Sequence, residues 1–446
     1  MNIPKFCIKL TAMIFILTSL CGCYDYKDVS SRAYIIAIGI DKSKDSDLYS
    51  YTIQFARPVN FAGKGSQTKS SESETRKNKT PSVENIVVQA GTIYEAMQII
   101  MENVAKTPYL GSLEILAVSE EIAAEGMWKI DDEFSGSFFV KTNFIPIVAK
   151  DSAKDFLENV KPSFEINPSK YYETFFQNAA SPYVSNVNMQ IFVSENRNLV
   201  GVCSIPYVFR GTMEDGESSP DATRDSPPQS VMNITGMKEI DDMINKSGEK
   251  MVKDSELSHK AADIGLAVFK NMKLKAVIPP HEILWYRAIN HKENFEKFIY
   301  VSENIRSDEY SWDTDEENSG DQNKKISFYI DDAESEDVKI SWVDGRPLIS
   351  MKFNVKATSF LKLDREKRKK IEERLERSMY RDIMKILIKS AEEYEADVYD
   401  FGDIFFSGYL TIQDAERQNW SEAYKNAAFS VDIDVNIRNT SRLFEL

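Results

Sequence analysis

The carboxyl-terminal part of the chain carries the two patterns that most restrict its fold. Residues Val431–Arg438 alternate strictly between apolar and polar side chains, which is typical of a strand with one face in water and the other against a core. A helix predicted from Asp364 to about Glu395 has an apolar stripe. The stripe residues recur every four positions and are Ile371, Leu375, Met379, Ile383, Leu387 and Ala391. We therefore expect antiparallel strands packed under this helix.

The rest of the chain alternates between short apolar segments and polar segments. This pattern indicates an α+β protein of more than one domain, with a mixed α/β region at the amino-terminal end. Stretches rich in Gly, Ser, Pro and charged residues mark the predicted boundaries. The predicted parts are a signal segment at 1–22, a domain region at 23–210 with a flexible insertion at 60–81, a linker or long polar loop at 211–262, and a carboxyl-terminal α+β domain at 263–446.

Near the amino-terminal end, two apolar segments predict a hairpin. Ala33–Ile40 is almost continuously apolar, and Tyr49–Phe55 alternates with polar residues that include Thr52 and Gln54. The alternation predicts that these polar residues face water. Further along, Thr92 is predicted to cap a helix whose apolar positions begin at Ile93. Asp151 is predicted to cap a helix that extends to about residue 160.

The first residues of the chain match a bacterial lipoprotein signal. Lys5 and Lys9 precede an apolar run at Leu10–Leu20, and Leu20, Gly22 and Cys23 follow the pattern of small residues before a lipidated cysteine. The apolar run would span roughly 16 Å as a helix against about 30 Å of hydrocarbon, so it is too short for an ordinary transmembrane helix. The alternative that this segment is an ordinary secretory signal stays open. We expect cleavage between Gly22 and Cys23 and a diacylglyceryl group on Cys23, whose two acyl chains anchor stably.

Charge and cysteine content narrow the possible partners. The chain of 446 residues has a formal net charge of −15, and loss of residues 1–22 removes two lysines, which leaves −17. Nucleic acid is not expected as a partner, because phosphate binding needs clustered Lys and Arg. Loss of the signal and lipidation of Cys23 leave Cys203 as the remaining thiol, and we expect it to be a small buried hydrophobic residue.

The sequence contains little that predicts catalysis or a cofactor. It has no phosphate-binding loop, nucleophile elbow or Cys-x-x-Cys pair, and His259, His281 and His291 lack partners at metal-ligand spacing. The acidic segment 313–321 lacks the Gly and Glu of a calcium-binding loop. Asp432 and Asp434 lie on one face of the last strand, about 6.8 Å apart, and are expected to be solvated. We expect no enzyme activity, metal or cofactor.

Several short motifs occur in order along the chain. They begin at Cys23 and the acidic segment after it, and the most specific is GLAVFKNMKL at Gly265–Leu274. The others are Ile35–Asp41, Gly91-Thr92 with Glu95-Ala96, Ala117–Gly126, Glu282, Asp397–Gly402, Trp420 and Val431–Arg438. Taken together, these motifs resemble the Ger(x)C family, the lipoprotein subunit of spore nutrient germinant receptors.

The resemblance implies a non-enzymatic protein that acts in spore germination. It implies a lipid-anchored subunit on the outer face of the inner spore membrane, in complex with integral membrane subunits of a germinant receptor. It leaves open whether this subunit contacts the germinant. It also implies a multi-domain α+β fold.

Two other functional classes stay open on the residues alone. A lipid-anchored extracytoplasmic solute-binding protein shares the lipoprotein signal and the acidic charge, although such proteins have two parallel α/β lobes, and the alternating carboxyl-terminal strands disfavour this. A lipoprotein hydrolase is disfavoured because no nucleophile–histidine motif is present. The apolar residues of Gly265–Leu274 and the Trp420 segment are either a partner surface or core.

Overall fold

The structure is a computed structural model, and it describes most of the chain outside the predicted signal and linker. The described residues are 31–44, 47–57, 83–135, 141–159, 168–176, 187–210, 262–290, 298–301, 327–359, 365–411, 413–414 and 417–439. The predicted signal segment, the predicted insertion 60–81 and the predicted linker up to residue 261 lie outside these residues.

Thirteen strands lie in the described part of the chain. They are β1 (Arg32–Lys42), β2 (Tyr49–Ala56), β3 (Val83–Ala90), β4 (Thr107–Tyr109), β5 (Ile115–Ser119), β6 (Ile145–Ala149), β7 (Val202–Arg210), β8 (Ala262–Lys270), β9 (Lys273–Ile278), β10 (Phe298–Val301), β11 (Ser327–Val343), β12 (Arg346–Ser359) and β13 (Ala428–Asn439).

Ten α-helices accompany these strands within the same described ranges. They are α1 (Ile93–Asn103), α2 (Glu120–Glu125), α3 (Trp128–Ser135), α4 (Ala153–Asn159), α5 (Pro168–Phe176), α6 (Met189–Arg197), α7 (Pro280–Ile289), α8 (Arg365–Glu392), α9 (Phe401–Phe406) and α10 (Trp420–Tyr424). None of the helices in this part of the chain is long and apolar enough to cross a membrane.

The first nine strands form one large mixed sheet. Its order is β3-β2-β1-β5-β6-β7-β8-β9, and β4 pairs with β1 at its side. The central strands β1, β5, β6 and β7 run parallel to one another, whereas the strands at both ends are antiparallel. The parallel centre requires crossover connections, which place helices on the sheet faces.

Both faces of this sheet are covered. On one face, α1, α2, α3 and α6 bury residues such as Met97, Ile122 and Phe192 against the strands. On the other face, α4 and α5 cover the centre through Leu157 and Phe176. The strands β7, β8 and β9 share that second face with the carboxyl-terminal elements, which complete its core.

Burial on both faces corrects one expectation from the sequence. The predicted β1–β2 hairpin is present, but the polar face of β2 is not in water, because α4 and α5 cover it. Thr52 is fully buried and Gln54 is 2% exposed. The Gln54 amide donates to Asn85 Oδ1 (3.0 Å) and Leu157 O (3.2 Å) and accepts from the Tyr172 hydroxyl (2.9 Å). These bonds offset the cost of burying the amide.

The cap of α4 also differs from the prediction. Ser152 Oγ, not Asp151, accepts the N–H of Asp155 (3.2 Å). The carboxylate of Asp41, at the end of β1, accepts the N–H groups of Ala153 (2.7 Å) and Lys154 (2.8 Å). A carboxylate from a distant strand thereby satisfies two donors at the helix amino terminus, where negative charge is also favourable.

The carboxyl-terminal sheet has the order β10-β11-β12-β13. The predicted layer is present, because the stripe residues of α8 are buried against the apolar faces of the strands. β11 and β12 pair antiparallel, as predicted, and β10, which was not predicted, pairs antiparallel with β11. β13 instead runs parallel to β12, because α8 and the segment after it carry the chain back to the start of β12 before β13 begins. The predicted α+β fold class is thus confirmed, with a parallel last pair.

The two sheets share a core. β8 and β9, which follow the predicted linker, extend the amino-terminal sheet, since β8 hydrogen-bonds to β7 and β9 to β8. Their second face packs with α7, α8 and the carboxyl-terminal strands in one cluster that includes Leu266, Phe353 and Trp420. The region between the sheets is therefore a packed interior that holds them together.

Candidate functional site

The residue predicted to carry the lipid lies outside the part of the chain that the structure describes. Cys23 and the cleavage flank Leu20 and Gly22 lie outside the described residues. The described candidates are therefore the residues of the resembling motifs and the charged groups around them.

The amino-terminal motifs form helix caps and close packing. Thr92 Oγ1 accepts the Glu95 N–H (3.2 Å), and the Glu95 carboxylate accepts the Gly91 N–H (2.8 Å). This reciprocal arrangement starts α1 and confirms the predicted cap at Thr92. At Gly39 in β1, a Cβ would lie 3.1–3.2 Å from Leu157 and Ala153. The glycine therefore allows α4 to approach β1.

The motif Gly265–Leu274 forms most of the β8–β9 hairpin. Its two turn residues, Asn271 and Met272, have φ of 49° and 63°, which suits a two-residue turn between antiparallel strands. The Met272 N–H donates to Asn196 Oδ1 (2.9 Å), and its carbonyl accepts from Met127 N (2.8 Å). The turn is fixed by α6 and by the residue before α3, and its apolar residues are core rather than a partner surface.

A buried carboxylate organises the motif Asp397–Gly402 with Trp420. Asp397 Oδ2 accepts from Gly402 N (2.6 Å) and Trp420 Nε1 (2.8 Å), and Oδ1 accepts from Phe401 N (3.2 Å). A Cβ on Gly402 would lie 2.6 Å from Val200 Cγ2 and 2.8 Å from the Trp420 ring. Since Val200 precedes β7, this glycine lies where the carboxyl-terminal segment meets the large sheet.

Burial dominates the electrostatics of Asp397. Loss of solvation raises its pKa to about 6, although the Trp420 and backbone N–H bonds lower it. All the donors named above point at the carboxylate, so it serves as a structural acceptor that joins two chain segments. The Trp420 segment is accordingly core.

A charged cluster lies between α7 and α8. Glu282 and Lys389 form an ion pair at 3.2 Å, with side chains only 9% and 14% exposed. His281 Nε2 is 3.8 Å from the Glu282 carboxylate, and burial lowers the His281 pKa. Lys389 Nζ also lies 5.4 Å from the centre of the Tyr394 ring. The pair links α7 to α8, and loss of one partner from a pair this buried is strongly destabilising.

The outer edge of β13 lies beside α8. Glu372 Oε1 accepts the Ile437 N–H (2.9 Å), and Glu376 Oε1 accepts the Val435 N–H (3.2 Å). Next to these bonds, a groove of about 870 Å³ opens between α8 and residues 431–433. Sequence analysis missed this feature, although glutamates four residues apart on a helix predicted to cover a strand were a usable signal.

The remaining residues considered in the sequence analysis are buried, exposed or outside the described part of the chain. Cys203 is buried, as predicted, and Asp432 and Asp434 are exposed on the solvent face of β13. His259, His291 and the acidic segment 313–321 lie outside the described residues. Within the described ranges, no group of three His, Cys, Asp or Glu side chains is placed to hold a metal ion.

Two family models match the chain in order. The model for the spore germination protein N-terminal domain matches residues 25–209, and the model described as spore germination B3/GerAC like, C-terminal, matches residues 264–441. Together they cover most of the chain, including both sheets.

Individual proteins are similar at lower identity. Spore germination protein KC of Bacillus subtilis (strain 168) is 24% identical over 239 residues, which is 53% of this chain and 56% of that protein. The chain thus matches a little over half of that relative's length. The crystal structure of the GerBC protein superposes with a TM-score of 0.45 at 13% identity, over 90% of this chain and 97% of that one.

Proposed function

The chain belongs to the GerAC-like family of spore germination proteins, and we propose that it is the lipid-anchored subunit of a spore nutrient germinant receptor. In this role it has no enzyme activity of its own. It assembles with integral membrane subunits on the outer face of the inner spore membrane and is required for the response to germinant.

The observation that carries this proposal is the ordered match of two family models. The matched region starts at residue 25, two positions after Cys23. The motif residues that carry the resemblance act as caps, turns and buried acceptors, as Asp41, Thr92 and Asp397 illustrate. Such roles support a binding and scaffolding protein better than an enzyme, because each of these three side chains already serves as a structural hydrogen-bond acceptor.

The lipoprotein signal supports the anchor. Cleavage between Gly22 and Cys23 and attachment of a diacylglyceryl group give two acyl chains, which hold a protein to a bilayer stably, whereas one chain binds only marginally. The acidic body, at −17 after loss of the signal, is not attracted to anionic headgroups. In this proposal the lipid on Cys23 therefore accounts for attachment, and membrane subunits account for signalling.

Substitution of Cys23 tests the proposal. In Cys23→Ala spores we expect the protein to leave the membrane fraction and nutrient germination to be impaired, because the acylated thiol is lost. Cys21→Ala is the matched control, since it makes the same substitution in the segment that is removed. Fractionation by immunoblot and germination by loss of optical density are the measurements. A Cys23→Ala protein that stays on the membrane and supports normal germination would contradict the proposal.

A further inference from the structure

The edge of the carboxyl-terminal sheet is protected along only part of its length. β13 is the last strand of its sheet, and exposed edge strands can pair with another chain. The N–H groups of Val435 and Ile437 point away from β12 and are capped by Glu376 and Glu372. These glutamates are one helical turn apart, so α8 follows the edge for two strand positions.

The preceding two positions of the edge lie beside the groove. Backbone direction repeats every two residues in a strand, and the pairing of β13 with β12 has no register shift. The N–H and C=O groups of Val431 and Ile433 therefore point the same way as those of Val435 and Ile437. Among the described residues, no side chain caps them as the glutamates cap Val435 and Ile437. The groove lies directly against these two residues.

The helix wall of the groove is basic on balance. Its charged side chains are four basic residues and two glutamates, of which Glu376 caps the strand edge; the basic ones are Lys370, Arg374, Arg377 and Arg381. Between Arg365 and Arg381 the helix has eight basic and four acidic residues, a net charge of +4, whereas the whole chain carries −15. This uncapped stretch of the edge thus faces a concentration of positive charge in an acidic protein.

We propose that this groove binds an extended acidic segment of a partner protein, which adds to β13 as a further strand. Its backbone would pair with Val431 and Ile433, and its alternate acidic side chains would reach the arginines of α8. A second copy of this chain fits less well, because edge-to-edge pairing would bring the Asp432 residues of both copies together. A lipid headgroup would use the arginines but not the strand edge.

Peptide binding to the full-length protein in detergent tests this surface. The probe is a fluorescently labelled hexapeptide, Glu-Val-Glu-Val-Glu-Val, compared with its Lys-Val counterpart by fluorescence anisotropy. We expect the acidic peptide to bind and the basic one not to bind. Arg377→Glu should weaken binding at least about tenfold. The matched control is Lys369→Glu, an exposed residue of the same helix outside the groove.

A second variant separates strand addition from general attraction between charges. Val431→Pro removes an outward N–H without removing a bond to β12, since proline is tolerated at a strand edge. It should abolish most of the binding while the thermal unfolding midpoint stays close to that of the wild type. Equal binding of both peptides, an equal effect of Lys369→Glu, or binding unchanged in Val431→Pro would overturn the proposal. Binding to anionic phosphatidylglycerol vesicles in place of the peptide would overturn it as well.

Discussion

The two sheets differ in how their faces are covered. The large sheet has helices or a second core on both faces, so its polar strand residues are buried and hydrogen-bonded, as Gln54 is. The carboxyl-terminal sheet is covered on one face by α8, and the polar residues of β13 are in water. The same alternation of residue types therefore has different meanings in the two sheets, depending on what packs against the polar face.

The largest expected effect on stability is the difference between substitutions of two tryptophans. Trp420 is 2% exposed and donates to Asp397, whereas Trp342 is 49% exposed at the end of β11. Trp420→Ala should lower the free energy of unfolding by about 3–5 kcal/mol through the cavity it leaves. Trp342→Ala should change it by under about 1 kcal/mol. Urea titration followed by circular dichroism is the measurement, and equal losses would contradict the placement of Trp420 in the shared core.

The second prediction concerns the pH dependence of Asp397. Burial raises its pKa from 3.8 to about 6, so between these values the folded protein holds a proton that the unfolded chain has lost. The contribution of Asp397 to stability therefore falls as the pH rises through this interval. In Asp397→Asn that dependence is absent. The difference in unfolding free energy between the two proteins should change by about 2–3 kcal/mol between about pH 4 and pH 7, in favour of the variant.

Urea titrations of both proteins at several pH values give this difference. Comparing the two proteins cancels the contributions of carboxylates that they share. A constant difference across the range would show that folding does not raise the pKa of Asp397 and would contradict the effect of burial.

The third and smallest effect compares polar strand residues in the two sheets. Gln54→Ala leaves the Tyr172 hydroxyl and the Leu157 carbonyl without their partner in a buried site, so a loss of about 1–3 kcal/mol is expected. Asn436→Ala, on the exposed face of β13, should stay within about 0.5 kcal/mol. Thermal unfolding of both variants is the check. Similar small effects would mean that the second face of the large sheet is open to water.

Local patterns predicted the elements that depend on neighbouring residues. The stripe of α8, the alternation of β13 and the cap at Thr92 all depend on contacts within a few residues, or on one apolar face, and all are confirmed. The prediction that Asp151 caps α4 was wrong. One of the acceptors at this helix end, Asp41, comes from a strand more than a hundred residues earlier. Local sequence does not contain that contact.

The absence of long-range contacts from local sequence also explains the other differences between the predicted and the observed fold. The parallel direction of β13 and the joining of β8 to the large sheet are set by pairings between distant segments. The strand β3 and the helix α3 were not predicted. In α3 only Ile130 and Phe134 are buried apolar residues at helical spacing, and two positions are too few to establish a period. Of the candidate site, the motif residues could be found from the sequence, but most of their roles as turns and buried acceptors could not. The groove beside Val431 required the position of α8 over the strand edge.

The attachment of the mature protein to the membrane is the central claim, and mass spectrometry of its amino terminus tests it most directly. The protein isolated from spore membranes should begin at Cys23 and carry a diacylglyceryl group on that residue. A mature chain that begins elsewhere, or an unmodified Cys23, would contradict the claim.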